Sequence, residues 1–315
     1  MDGSVDTRAP EDALVEPSTI NPIPPGHGSR TAGYLMLLVT TFSWGINWPV
    51  GKHLLVELPP LTMRGAPGAL GALLLALAVL AKGGSLRVPR EQWPRLVLYS
   101  VLVVSGWMAL IGLALVYLPA GETAILGAMM PVLAAALAWP ILGERLSVRR
   151  VISMIMALAG LVILLGGDGI AANQAKMPGI AFALSAALSF ALGTVLAKRR
   201  PLQLPQLTAA VWQIAIGCVP IALYGILFEH PKFEHMTALG WSLFAYSTVI
   251  QVCIGFVCWF GALQRLPASV AAIGTLLIPV VGVVASAITL GEPLGAIQIA
   301  ALGLTIAGVL LASRS

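Results

Sequence analysis

From Thr31 onward the chain is a succession of long apolar runs separated by short polar links. The runs fall near 32–51, 61–81, 95–117, 121–142, 148–166, 179–198, 208–228, 239–263, 268–290 and 296–312. Most are close to 20 residues and lack the two-residue alternation of strands, so the pattern predicts helices long enough to cross a hydrocarbon layer. The links are short, which makes neighbouring helices antiparallel. Residues 1–30 break this pattern. They are polar, carry Pro10, Pro17, Pro22, Pro24 and Pro25, and hold no apolar run. They read as a disordered cytoplasmic tail rather than a secretory signal.

Composition turns these helices into membrane spans. Of the 315 residues 58% are hydrophobic and 10% charged, and mean hydropathy is +0.92. Soluble domains carry roughly 25% charged residues. In lipid the backbone must satisfy its own hydrogen bonds, which leaves helices or closed barrels, and the run lengths select helices. The net charge of +5 fits basic cytoplasmic links, and nucleic acid is not an expected partner. The three cysteines, Cys218, Cys253 and Cys258, lie inside apolar runs and read as buried thiols.

The ten runs are one design written twice. Leu118–Leu146 aligns without a gap to Leu266–Leu294, 148 residues later, with 11 of 29 positions identical. The matches include Pro119/Pro267, Pro131/Pro279, Gly143/Gly291 and Glu144/Glu292. At a shift of 146, Gly33 meets Gly179, Ser43 meets Ser189 and Lys52 meets Lys198. Trp93 and Trp241 match at 148. Repeats of five helices leave the second copy inverted, the plan of secondary transporters. The expected division is a tail at 1–30, a first repeat at 31–166 and a second at 167–315. With the N-terminus inside, 14 of the 18 Lys and Arg fall on the cytoplasmic side, so both termini are expected there.

These residues carry a resemblance. W-G-I-N-W-P-V-G-K at 44–52, the paired L-P-A…P…G-E-x-L blocks, and A-L-S-F-A-L-G-T-V-L-A-K-R ending at Arg199 resemble the drug/metabolite transporter superfamily. Within it the chain is similar to the ten-helix group built from two EamA repeats. The resemblance implies an all-α membrane protein of two inverted five-helix repeats, in a bacterial inner membrane, that moves small organic molecules such as amino acids or drugs. Many relatives carry Glu just before the mid-helix proline of the fourth or ninth helix; here those places hold Met130 and Ile278.

The candidate site residues follow from what lipid tolerates. Pro131 and Pro279 lie mid-segment, and neither can donate to the carbonyl four residues back, that of Gly127 or Thr275. Paired Pro-interrupted spans point to a transporter's binding site; simple packing kinks are the alternative. Thr40, Trp44, Asn47, Trp48 and Gly51 share one face of the first helix. A buried amide needs a partner, so Asn47 should face the interior. Trp44 and Trp48 offer flat walls to a substrate, or belong to an interfacial belt. Trp107 and Gln251, near mid-membrane, are further liners, with Ser247 and Gly255 one turn either side of Gln251. Glu122, in the first turn of the fourth helix, is a candidate proton site or a capping carboxylate, with Lys52 or Arg64 as expected partners. Lys52 and Arg64 otherwise read as snorkelling side chains at the outer mouth. The Gly-Glu pairs read as structural helix stops.

No H-E-x-x-H, Walker loop or G-x-S-x-G occurs, and His27, His53, His230 and His235 form no buried cluster, so no enzyme, metal or cofactor is expected. The leading expectation is a secondary transporter exporting small organic metabolites, most of all amino acids, by alternating access, with protons a candidate coupling ion. A multidrug or purine-type carrier is the alternative within transport. A non-transporting membrane scaffold, or an enzyme acting on lipid-linked substrates, is the alternative outside it.

Overall fold

The computed structural model describes residues 27–143, 148–166, 169–266, 270 and 274–313. The expected residues 1–26, Glu144 and Pro267 lie outside them. Among the described residues ten helical spans occur where ten apolar runs were expected, and no strand is found. They are α1 (His27–Leu54), α2 (Pro60–Ala81), α3 (Arg90–Tyr117), α4 (Ala120–Leu142), α5 (Val148–Gly166), α6 (Gly169–Arg199), α7 (Gln206–Glu229), α8 (Ala238–Leu263), α9 (Leu277–Leu290) and α10 (Ala296–Ser313). By length and composition α2, α3, α4, α6, α7 and α8 can each cross a bilayer.

Two helices begin earlier than their apolar runs. His27–Arg30 form the first turn of α1 rather than the end of a tail. The described start of α6 is Gly169, ten residues ahead of the run at 179. Hydropathy marks where a helix meets lipid, whereas Ala, Gln, Lys and Met continue a helix into polar surroundings. This added length brings Lys176 over α4.

The packing obeys the repeat. α2 packs on α7, α4 on α9 and α5 on α10, each against its own repeat mate, as helices beside a two-fold axis must. α1 packs on α8 and α9, while its mate α6 packs on α3 and α4. The first helix of each half is thus inserted into the other half. The symmetry extends to single contacts. A Cβ on Gly33 would stand 2.8 Å from Leu266 Cγ, and one on Gly179 would stand 2.7 Å from Leu118 Cγ. Gly33/Gly179 and Leu118/Leu266 are both repeat pairs, so glycine at each place lets the swapped helix approach its neighbour. α4 and α9 end alike, on Gly143 (φ 71°) and Gly291 (φ 65°), left-handed positions that favour glycine.

Large apolar side chains such as Leu35, Phe42, Leu77, Phe228 and Ile288 point outward and are exposed, as a lipid-facing surface requires. Below, the end of the bundle with the α1–α2 link is called distal and the other end proximal.

Candidate functional site

The polar face of α1 lies against a π-helical stretch of α8, Tyr246–Ile254. A π turn bonds i to i+5 and displaces carbonyls from their ordinary partners. Side chains of α1 meet that chain. Trp44 Nε1 donates to the Gln251 carbonyl at 3.1 Å, and Thr40 Oγ1 donates to the Gly255 carbonyl at 3.2 Å. In return Tyr246 Oη donates to the Ser43 carbonyl at 3.0 Å. The repeat mate of this stretch, Ser100–Ser105 in α3, is also π-helical, and Ser189 of α6 donates to its Leu102 carbonyl at 2.8 Å.

One turn nearer the distal end, α1, α2, α3 and α8 border a small cavity lined by Asn47, Gly51, Arg64, Met108, Ser247 and Gln251, among others. Its volume is about 10 Å³, the room of about one water. Ser247 Oγ donates to Asn47 Oδ1 over 3.4 Å, a long bond in a buried place. Asn47 and Gln251, selected as an isolated amide and a mid-span polar residue, therefore face the same space from opposite repeats.

Arg64 departs most from expectation. It neither snorkels at an outer mouth nor pairs with Glu122. It is 9% exposed, and Nε and Nη2 are buried with no hydrogen-bond partner. A Cβ on Gly51 would come within 2.9 Å of Nη2, and one on Gly112 within 3.1 Å of Arg64 Cγ. The side chain therefore lies along two glycine backbones, pressed between α1 and α3 and covered from lipid.

Trp44, Trp48 and Trp107, expected as liners, are not among the residues that line this cavity. Trp48 is buried, and its ring meets Trp107 edge-on with centroids 6.2 Å apart; Trp107 meets Phe190 at 5.6 Å. A Cβ on Gly127 would touch both indoles, at 3.0 Å from Trp107 and 3.2 Å from Trp48. Trp48 is therefore packed inside the bundle and is not part of an interfacial belt. Trp44 packs on Phe256 and Trp259 of α8.

Both proline-bearing spans are interrupted at equivalent places. α4 breaks at Ala128–Met129 and the ninth span at Leu276. At the first break Met129 N bonds Leu126 O at 3.1 Å, three residues back instead of four. The two prolines differ in surroundings: Pro279 is buried and Pro131 is exposed. Thr275 is half-buried, and Thr41 of α1 donates to the neighbouring Gly274 carbonyl at 3.2 Å. Gly127 thus adjoins the two indoles, whereas Pro131 does not join the buried cluster.

Glu122, Glu229 and Glu292 stand at the distal rim. Glu122 is buried and ion-paired to Lys176 of α6 at 2.8 Å, so its partner is neither Lys52 nor Arg64. Lys52 instead donates to the Leu115 and Leu118 carbonyls at 2.6 and 2.9 Å, closing the C-terminal end of α3. Glu292 accepts from the N–H groups of Ala120 and Gly121, and Glu229 from those of Leu61 and Thr62. Each carboxylate caps the first turn of a helix in the other repeat. Sequence reasoning missed this role of Glu292, which needs the fold to bring α9 to α4. Arg64 left one usable signal, a cation at the positive end of a helix where only another charge would favour it. No group of metal-ligating side chains is found among the described residues, and all three cysteines are free thiols.

Comparison with known proteins adds identity to this geometry. The sequence profile of the EamA-like transporter family matches residues 31–166 and again 177–314. An uncharacterized transporter of Bacillus subtilis, YvbV, is 32% identical over 90% of this chain and 91% of its own length. A probable amino-acid metabolite efflux pump of Salmonella typhimurium is 27% identical over 89% of this chain and 94% of its own. A probable terminal-alkyne amino-acid exporter of Streptantibioticus cattleyicolor is 27% identical over 76% and 80%. One crystal structure shares the fold with a TM-score of 0.62 at 23% identity, covering 90% of this chain and 96% of that one.

Proposed function

Because the chain belongs to the EamA-like transporter family, we propose that it is a secondary active transporter exporting small organic metabolites, with amino acids the leading class. Its site is the cavity toward the distal end of the bundle, between α1, α2 and α3 of one repeat and α8 of the other. The observation that carries this reading is the meeting of Asn47 and Arg64 with Ser247 and Gln251 across the two repeats. A site shared by both halves is exposed to alternate sides when the halves rock. The cavity has room for about one water, so in this reading substrate enters only as the halves part. Two relatives whose names speak of amino-acid efflux support the substrate class.

The proximal end faces the cytoplasm in this reading, since it carries most of the Lys and Arg, and the membrane is a bacterial inner membrane. Glu122 is the candidate for proton coupling. The buried guanidinium beside the cavity disfavours the multidrug reading for cationic drugs. Counterflow of labelled amino acids in proteoliposomes tests the proposal. Saturable exchange that is lost in Asn47→Ala supports it. Exchange that survives the substitution moves the site elsewhere, and a chain inert to amino acids, purines and drugs is not a carrier.

A further inference from the structure

The uncompensated guanidinium has no structural justification. Two of its three nitrogens, Nε and Nη2, are buried and donate to nothing. No carboxylate lies within ion-pair distance of it among the described residues. Burying an unpaired charge is strongly unfavourable, and its place in the second turn of α2 sets a cation near the positive end of a helix dipole. If Arg64 only filled space, Met or Leu would pack as well without these penalties. Gly51 and Gly112 keep room for it, so the surroundings are shaped around the charged group.

We propose that Arg64 is the receptor for an anionic group of the substrate, so that the molecules carried are small carboxylates or zwitterions bearing one. This rests on the carrier reading above. The guanidinium presents a planar fork of donors suited to a carboxylate. Asn47, Ser247 and Gln251 line the same space and supply neutral donors for the rest of the ligand. The 3.4 Å Ser247–Asn47 bond is weak enough to be exchanged for bonds to a ligand. The space beside the fork has room for about one water, so a bound carboxylate holds α1 and α8 slightly apart. Binding is thereby coupled to the motion that opens the site.

The test uses the full chain in proteoliposomes and, in parallel, its thermal unfolding in detergent. The probes are the labelled amino acid that exchanges best in the wild type, its methyl ester and its decarboxylated amine. The expected result is competition and thermal stabilisation by the acid, with the ester and amine weaker by about 10- to 100-fold, the range of a charged hydrogen bond. Arg64→Lys keeps the charge without the fork and weakens the acid selectively. Arg64→Met unfolds no earlier than the wild type when free and loses the stabilisation by acid. Should Arg64→Met fail to fold, Asn47→Asp supplies an internal carboxylate across the cavity. It should raise the unfolding temperature and abolish stabilisation by the acid. Equal potency of acid, ester and amine, or undiminished acid binding in Arg64→Met, overturns the proposal while leaving the carrier intact. Exchange of neutral or cationic solutes alone does the same. A chain that exchanges no solute overturns the carrier reading itself, and the anion site with it.

Discussion

The carboxylate of Glu292 accepts the backbone N–H of Ala120 at 2.6 Å, and its second oxygen that of Gly121 at 2.8 Å. The Gly-Glu end of one copy of the repeated block thereby clasps the Leu-Pro-Ala start of the other, across the interface between the repeats. Helix N-termini leave four donors without partners, and here a side chain from the opposite half satisfies two of them. Glu292→Ala should lower stability by about 1–3 kcal/mol, the cost of stranding half-buried donors, with Glu292→Gln closer to the wild type. Thermal unfolding in detergent reads this directly. Unchanged half-saturation for substrate in the folded fraction separates the clasp from the binding site.

The salt bridge at the same rim makes a different prediction. Glu122 and Lys176 side chains are 10% and 20% exposed and 2.8 Å apart. Glu122→Gln and Lys176→Met should each destabilise, and together by less than their sum, with a coupling of about 1 kcal/mol. In vesicles, Glu122→Gln should blunt the response of flux to an imposed pH gradient. A response identical to that of the wild type removes Glu122 from coupling and leaves it the closure of the α4–α6 contact.

How much of this was readable beforehand depended on whether the signal was local. Ten helices, their inverted repetition and the glycine ends at Gly143 and Gly291 follow from run lengths and spacing, because lipid forces the backbone to close its own bonds. Asn47 and Gln251 stood out because an amide in hydrocarbon demands a partner. Which partner it finds depends on which helices touch, and no residue on α1 announces that it will be inserted beside α8. Arg64 and Lys52 read alike in sequence, both basic and both near the distal end. The fold separates them, turning Lys52 to the end of α3 and Arg64 into the interior. Lys176 escaped because its stretch of α6 is polar and lies outside the apolar run.

Glu57 offers a test by pH. It lies in the α1–α2 link and accepts from Thr237 Oγ1 and Thr237 N, both at 2.7 Å, while Thr237 caps the first turn of α8. Those two bonds, side chain first, hold the Glu57 carboxyl below its usual value near 4.5. A depressed acid contributes stability that is present above the unfolded pKa and is lost as pH falls through the folded one. The protection factor of the amides at the start of α8, their exchange measured against the intrinsic rate at each pH, should therefore be flat from neutral pH down to about 4.5 and fall below it. In Thr237→Ala the side-chain bond is gone, so protection should be lost at higher pH than in the wild type.

The seam between α2 and α7 makes the sharpest steric prediction, because two glycines of similar helical setting should respond with opposite sign. A Cβ on Gly65 would stand 2.8 Å from Ala222 Cα and 2.9 Å from the Ile221 carbonyl carbon, both backbone atoms that no rotamer change can move. A Cβ on Gly303 of α10 would meet nothing within 4 Å. Alanine in place of glycine favours a helix by up to about 1 kcal/mol, so Gly303→Ala should raise the unfolding temperature modestly and leave exchange unchanged. Gly65→Ala gains the same propensity but must force two repeat mates apart, at a cost of about 1–3 kcal/mol for overpacking. Because Arg64 precedes it on α2, the separation also shifts the guanidinium relative to Asn47. Gly65→Ala should accordingly lose both stability and transport. If it unfolds no earlier than Gly303→Ala, the α2–α7 seam has slack, and the close approach of the two repeats at the level of Arg64 is not what holds that side chain in place.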